Sequence, residues 1–204
     1  MYICQHVDYI QRREQMDING LINELHLMQQ SYATLFSVVN KVQTRGDEYM
    51  EILTARQHMA LIAIAHLPPE TATLTNISKK LGTTKQTANK LMTGLVKKGY
   101  VKSVPSQKDK RSINIEMTAE GKKALVECSE RSVYFLADLF QQFTSEEVAT
   151  FWRLLQKLYR FDGEEYDGFE ENANIQLGVG NSLDTERILG EFEKRRYGGE
   201  NDEK

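Results

Sequence analysis

Six residues between positions 84 and 90 concentrate most of the ligand chemistry that one segment of this sequence offers. Lys85, Gln86, Asn89 and Lys90 fall on one face of a 3.6-residue period, with Thr84 and Thr87 beside them. Gln and Asn amides carry a donor and an acceptor side by side, which matches the edge of adenine, and a Lys ammonium reaches guanine acceptors. These four are candidates for reading base edges in a major groove. Thr hydroxyls suit phosphate oxygens, so Thr84 and Thr87 are candidates for backbone contact. A second group lies in the run Pro105-Ser-Gln-Lys-Asp-Lys-Arg111. There Lys108 and Lys110 are candidate phosphate contacts, and Arg111 suits insertion into a narrow, strongly negative minor groove. Lys79, Lys80, Lys97, Lys98 and Lys102 could add phosphate contacts, although any one of them reads more simply as a solvated lysine.

Other chemistries find less support. Cys4 and Cys128 are too few for a disulfide framework and form no metal-type pair. Cys4 has no basic neighbour at a fixed spacing to acidify its thiol. His6, His26, His58 and His66 lie apart, and His58 and His66 are too far along one helix to share a metal as an i, i+4 pair does. The sequence holds no phosphate loop, nucleophile elbow or cluster of catalytic carboxylates. No enzyme activity, metal or cofactor is therefore expected, and no ligand-binding residues are assigned. No stretch is long and apolar enough to span a membrane. The mixed, polar N-terminus does not read as a signal peptide, so the expected location is the cytoplasm.

The elements that must position the candidates follow from periodicity and capping. Ile18, Leu21, Ile22, Leu25, Met28, Tyr32, Leu35, Phe36, Val39 and Val42 recur at three- and four-residue steps. They predict a long amphipathic helix over about 18–44, broken by Arg45-Gly46-Asp47. Thr54-Ala-Arg-Gln57 has capping-box form and opens a helix apolar nearly all round, which Pro68-Pro69 end. A short helix over 74–81, a left-handed Gly82 and a cap at Thr83 or Thr84 lead into a helix over 85–98. Its apolar stripe is Ala88, Leu91, Met92, Leu95 and Val96. Helix, tight turn and helix over about 73–98 have the spacing of a helix-turn-helix. After Gly99 the period falls to 2, and 100–104 and 112–117 read as paired strands, with Ile113, Ile115 and Met117 alternating with Asn114 and Glu116. With the basic run at its tip this hairpin makes a wing over about 100–117. Thr118 caps a helix over 119–142, and Thr144-Ser-Glu-Glu147 opens another to about 161.

The predicted fold is thus mainly α with a small β-wing: a winged helix-turn-helix with long terminal helices over about 18–44 and 118–161. Their apolar faces are wider than a small winged helix covers, so a partner subunit is their natural home. An extension, 1–17, precedes this 18–162 domain. A tail, 163–204, follows it and includes a predicted short helix over 183–196.

Charge follows the same partition. The chain's net charge is −3, yet residues 54–117 hold 11 Lys or Arg against 3 Asp or Glu, and residues 163–204 hold 5 against 12. A basic module is the electrostatic footprint of a phosphate-backbone binder.

Five segments at consistent spacing carry a family resemblance. They are Leu53-Thr-Ala-Arg-Gln57, Leu74-Thr-Asn-Ile-Ser-Lys-Lys-Leu81, Lys90-Leu-Met-Thr-Gly-Leu-Val-Lys-Lys-Gly-Tyr-Val101, Asp109-Lys-Arg111 and Met117-Thr-Ala-Glu-Gly121. Together with the helix order they resemble the MarR family of bacterial transcriptional regulators over about 18–162. The resemblance implies a homodimer held by the first and the last two helices. It also implies double-stranded, pseudo-palindromic operator DNA as partner, a recognition helix in the major groove and wings in the flanking minor grooves. It further implies a repressor released by a small-molecule effector or other signal. Asp109 then orients a basic wing residue, because a carboxylate beside phosphate is repelled. The tail lies outside the pattern and inherits nothing. The rival reading is a winged-helix module that docks a protein partner through its helices or acidic tail; the tail could also fold back onto the basic module.

Overall fold

Threonine opens five successive helices of this protein. In the computed structural model, which describes residues 18–68, 70–106, 113–163, 169 and 182–198, a first helix α1 (Ile18–Met50) precedes them. Thr54, Thr73, Thr84, Thr118 and Thr144 then cap α2 (Ala55–His66), α3 (Leu74–Lys80), α4 (Lys85–Lys97), α5 (Ala119–Leu139) and α6 (Ser145–Tyr159). Each cap has extended backbone, and its hydroxyl accepts the N–H three residues on at 3.0 to 3.3 Å. Gln57 and Glu147 return the contact to their caps, completing the two expected capping boxes. Strands β1 (Val101–Pro105) and β2 (Ile113–Met117) lie between α4 and α5, and a last helix, α7 (Ser182–Tyr197), follows a 3-10 turn over Arg160–Asp162. No described helix is long and apolar enough to cross a membrane.

Two compact units are distinguished, Met1–Thr44 and Arg45–Lys204. The described part of the first is the N-terminal portion of α1. It exposes a run of large apolar side chains, among them Leu25, Met28, Tyr32, Phe36 and Val39, with Tyr32 at 69%. Extension residues 1–17, including Cys4 and His6, lie outside the described residues.

The second unit is built around α2, which touches α3, α4, α5 and β2. Leu61, Ile77, Leu95, Leu125 and Cys128 are fully buried there. The Cys128 thiol is pushed up to about 11, chiefly by burial, so at neutral pH it stays protonated. The break expected at Arg45-Gly46-Asp47 is absent: α1 continues to Met50 and ends at Glu51, where φ reaches +55°. Gly46 is buried, and a Cβ on it would stand 3.1 Å from Cβ of Ala55 and 3.7 Å from the Phe135 ring. Glycine here permits close helix packing inside a helix that tertiary contacts sustain. Asp47 contributes by accepting the Ala55 N–H at 2.6 Å.

β1 and β2 pair antiparallel, from Val101 opposite Met117 to Pro105 opposite Ile113. The expected alternation along β2 fails at its first half. Ile113 is exposed and Asn114 buried, because Ala72 and Thr73 run beside β2: the Ile115 N–H donates to Ala72 O at 2.9 Å, and Thr73 bridges to Asn114. The hairpin joins the helices through Thr118 and Gly121. The Thr118 hydroxyl donates to Gly99 O at 2.7 Å, and its N–H donates to Tyr100 O at 3.0 Å. The first turn of α5 presses so tightly on this carbonyl that a Cβ on Gly121 would lie 2.0 Å from Tyr100 O.

Two outcomes follow. Gly121→Ala should cost about 3 kcal/mol or more, since backbone must move to admit the methyl; a loss below about 1 kcal/mol in urea unfolding would contradict the seam. His58 is buried on α2, and burial pushes its pKa down to about 4. The unfolded chain takes up this proton near pH 6.5 and the fold does not until far lower, so stability is intact above that pH and falls as pH drops. The site should remove about 2 kcal/mol between pH 7 and pH 5, and His58→Leu should flatten the dependence by that amount in unfolding titrations.

Candidate nucleic-acid interface

The face that the sequence picks out on α4 is the face that α4 leaves open. Ala88, Met92 and Leu95 are buried and Leu91 is half-buried, which turns the helix and exposes Lys85, Gln86, Asn89, Lys90 and Thr93. Thr87 is half-buried beside the cap. Val96, placed by its spacing in the apolar stripe, is 45% exposed instead.

The entry to α4 is shaped by Gly82 and Thr84. Gly82 takes φ +58°, reversing the chain after α3, and the Tyr159 hydroxyl sits 3.6 Å from where its Cβ would be. Thr84 accepts the Thr87 N–H at 3.2 Å, and the two hydroxyls lie 3.0 Å apart. Helix α4 contains no carboxylate of its own to offset the positive end of its dipole or its lysines. An N-terminus of this kind favours an anion such as phosphate. Further along, the Thr93 hydroxyl donates to the Asn89 backbone carbonyl at 2.9 Å, and Asn89 is exposed.

The outlying lysines divide. Lys79 and Lys97 are exposed, and Lys80 is buried. Lys102 pairs with Glu116 across the hairpin at 3.0 Å. Lys98 donates to Ile52 O at 2.8 Å and to Gln57 Oε1 at 3.0 Å, so it ties the end of α4 to the start of α2. This structural role needs two helices brought together and has no signature in local sequence. Lys108, Asp109, Lys110 and Arg111 at the wing tip lie outside the described residues; the strands that would carry them are in place. Among the described residues no group of three or more His, Cys, Asp or Glu could hold a metal.

A helix, a turn over residues 81–84, a second helix with an open cationic face and a two-stranded hairpin directly after it together define a winged helix-turn-helix. Residues 53–112 match the MarR family. The HTH-type transcriptional repressor YetL of Bacillus subtilis (strain 168) is 31% identical over 85 residues, 42% of this chain and 51% of that protein. The uncharacterized HTH-type transcriptional regulator YsmB of the same organism is 30% identical over 86 residues, 42% of this chain and 59% of that one. The chain therefore spans little more than half the length of these relatives. Among solved structures, a mutant of MarR from E. coli complexed with operator DNA superposes with a TM-score of 0.55 at 25% identity, covering 70% of this chain and 99% of that one. These relatives are regulators by name, in keeping with the expectation of a regulator and not an enzyme.

The cap of α4 gives a direct check. Thr84→Ala should lower stability by about 1 kcal/mol in chemical unfolding, and Thr84→Ser should restore most of it. Equal stability of all three proteins would mean that the hydroxyl contributes nothing to the helix start.

Proposed function

We propose that this chain binds double-stranded DNA sequence-specifically as a homodimer and regulates transcription, as a repressor that a small-molecule effector or other signal releases. The observation that carries the reading is the open, carboxylate-free face of α4, with Lys85, Gln86, Asn89 and Lys90 outward and an apolar anchor behind. An α-helix fits the major groove, and these side chains have the chemistry of its base edges. The E. coli MarR structure, which holds operator DNA, supports the same use of the same module.

Dimerisation is supported by apolar surface. Besides the side chains along residues 18–41 of α1, α6 exposes Phe151, Trp152, Leu154 and Leu158, and Phe161 just beyond it is 84% exposed. Surface of that kind marks an interface. In a two-fold dimer the recognition helices would meet half-sites about one DNA turn apart. An effector that favours another spacing would then release the operator.

The test is binding of the full chain to DNA upstream of its own gene, titrated over several salt concentrations. Tight, selective binding that weakens steeply with salt is expected. Asn89→Ala should cost about 1–3 kcal/mol and relax specificity at one position, whereas Lys108→Ala or Lys110→Ala should weaken binding to all sequences and reduce the salt slope by about one. No preference over random DNA, for this fragment or after random-sequence selection, would favour the protein-docking reading instead.

A further inference from the structure

The C-terminal helix α7 lies outside the matched residues 53–112 and outside the family pattern, yet it is built onto the fold by contacts of three arginines, Arg187, Arg195 and Arg196. It runs parallel to α5 in fixed register. Arg187 pairs with Glu130 and Arg195 with Asp138, each across 57 positions. The first pair is bidentate, with both N–O distances 2.8 Å, and the Tyr134 hydroxyl donates to the same Glu130 carboxylate at 2.7 Å. These contacts, Arg187 first, hold the Glu130 carboxyl below its ordinary pKa. The Arg195 guanidinium lies over the Tyr134 ring at 5.1 Å.

Two features make this more than a surface attachment. Asp138 Oδ2 accepts from Arg195 at 2.9 Å and from the Tyr49 hydroxyl at 2.6 Å, so one carboxylate ties the last turn of α1, α5 and α7 together. Arg196 is only 6% exposed and donates to the carbonyls of Gln141 and Phe143, in the corner where α5 turns into α6. Carbonyls at a helix C-terminus lack partners within the helix, and a buried guanidinium supplies them. The same corner holds the Phe140, Phe143 and Phe151 rings, with centroids 5.5 to 6.4 Å apart.

We propose that α7 is a clasp on the α5–α6 corner, and that its engagement sets the geometry from which the winged module binds DNA. A 16-residue helix is marginal alone. The pairs that dock it are partly exposed and screened by salt, so the clasp is separable from the module it holds. The link to DNA affinity rests on the function proposed above; the clasping of the corner does not.

The test uses the full chain with Glu130→Arg, Arg187→Glu, the double swap, and Arg196→Ala. Hydrogen exchange reads the amides of α7 and of residues 140–144, and a DNA titration runs in parallel. Each single swap should accelerate exchange in both places by about tenfold or more, and the double swap should restore protection. Arg196→Ala should loosen the corner and weaken DNA binding about fivefold or more, on the order of 1 kcal/mol of coupling. Release of α7 with full protection at 140–144 would overturn the clasp. A loosened corner with unchanged DNA affinity would overturn its coupling to the winged module. If the wild-type chain binds no DNA, that reading fails alone, and exchange at 140–144 still decides whether α7 clasps the corner.

Discussion

The contact between the start of α5 and the Tyr100 carbonyl is the constraint on which the module depends. Helix α4 ends at Lys97, the hairpin begins at Val101 and α5 begins at Ala119; Thr118 and Gly121 bring these three junctions together. One hydroxyl accepts the Gly121 N–H and donates to Gly99 O, serving two chain ends with one side chain. Because no side chain separates Gly121 from Tyr100, the start of α5 can approach the Tyr100 carbonyl this closely. Strand β2 then lies against Ala72 and Thr73, which lead into α3, so the strands of the hairpin pack directly on the helix-turn-helix. Rigid placement is what a groove-reading helix requires, since an error of about an ångström misaligns bidentate contacts.

Charge is distributed by task and not by segment. The basic stretch spends Lys98 on α2 and Lys102 on Glu116, and keeps Lys85 and Lys90 exposed on a helix that carries no carboxylate of its own. The tail is acidic as a whole, yet its helix engages the fold through Arg187, Arg195 and Arg196. Their partners, Glu130 and Asp138, belong to a long helix with a nearly balanced surroundings count, which is why net charge per segment hides the pairing.

Much of this was legible in sequence because it is local. Threonine caps, a glycine that must turn left-handed at position 82, and the period of α4 are written within a few residues of where they act. The open face of α4 follows from Ala88, Met92 and Leu95 alone. What misled or escaped the reading depends on contacts distant in sequence. Gly46 looks like a helix break until Ala55 and Phe135 are brought against it. Asn114 looks like a solvent position until Thr73 pairs beside it. Val96 matches the stripe by spacing and falls at its edge in the fold. The docking of the basic residues of α7 onto α5 is likewise a matter of long-range register.

That register has a kinetic side. A helix whose partners all lie 57 positions or so earlier in the chain contributes contacts of high sequence separation, and such contacts return nothing until a long loop has closed. During synthesis, at roughly 5–20 residues per second, α7 leaves the ribosome seconds after every residue it touches. The residues that α7 touches are therefore free to fold before α7 emerges, and α7 can then dock on a surface already formed. The chain thus separates contacts that are local and cap-directed from a charge-guided docking that depends on them being in place.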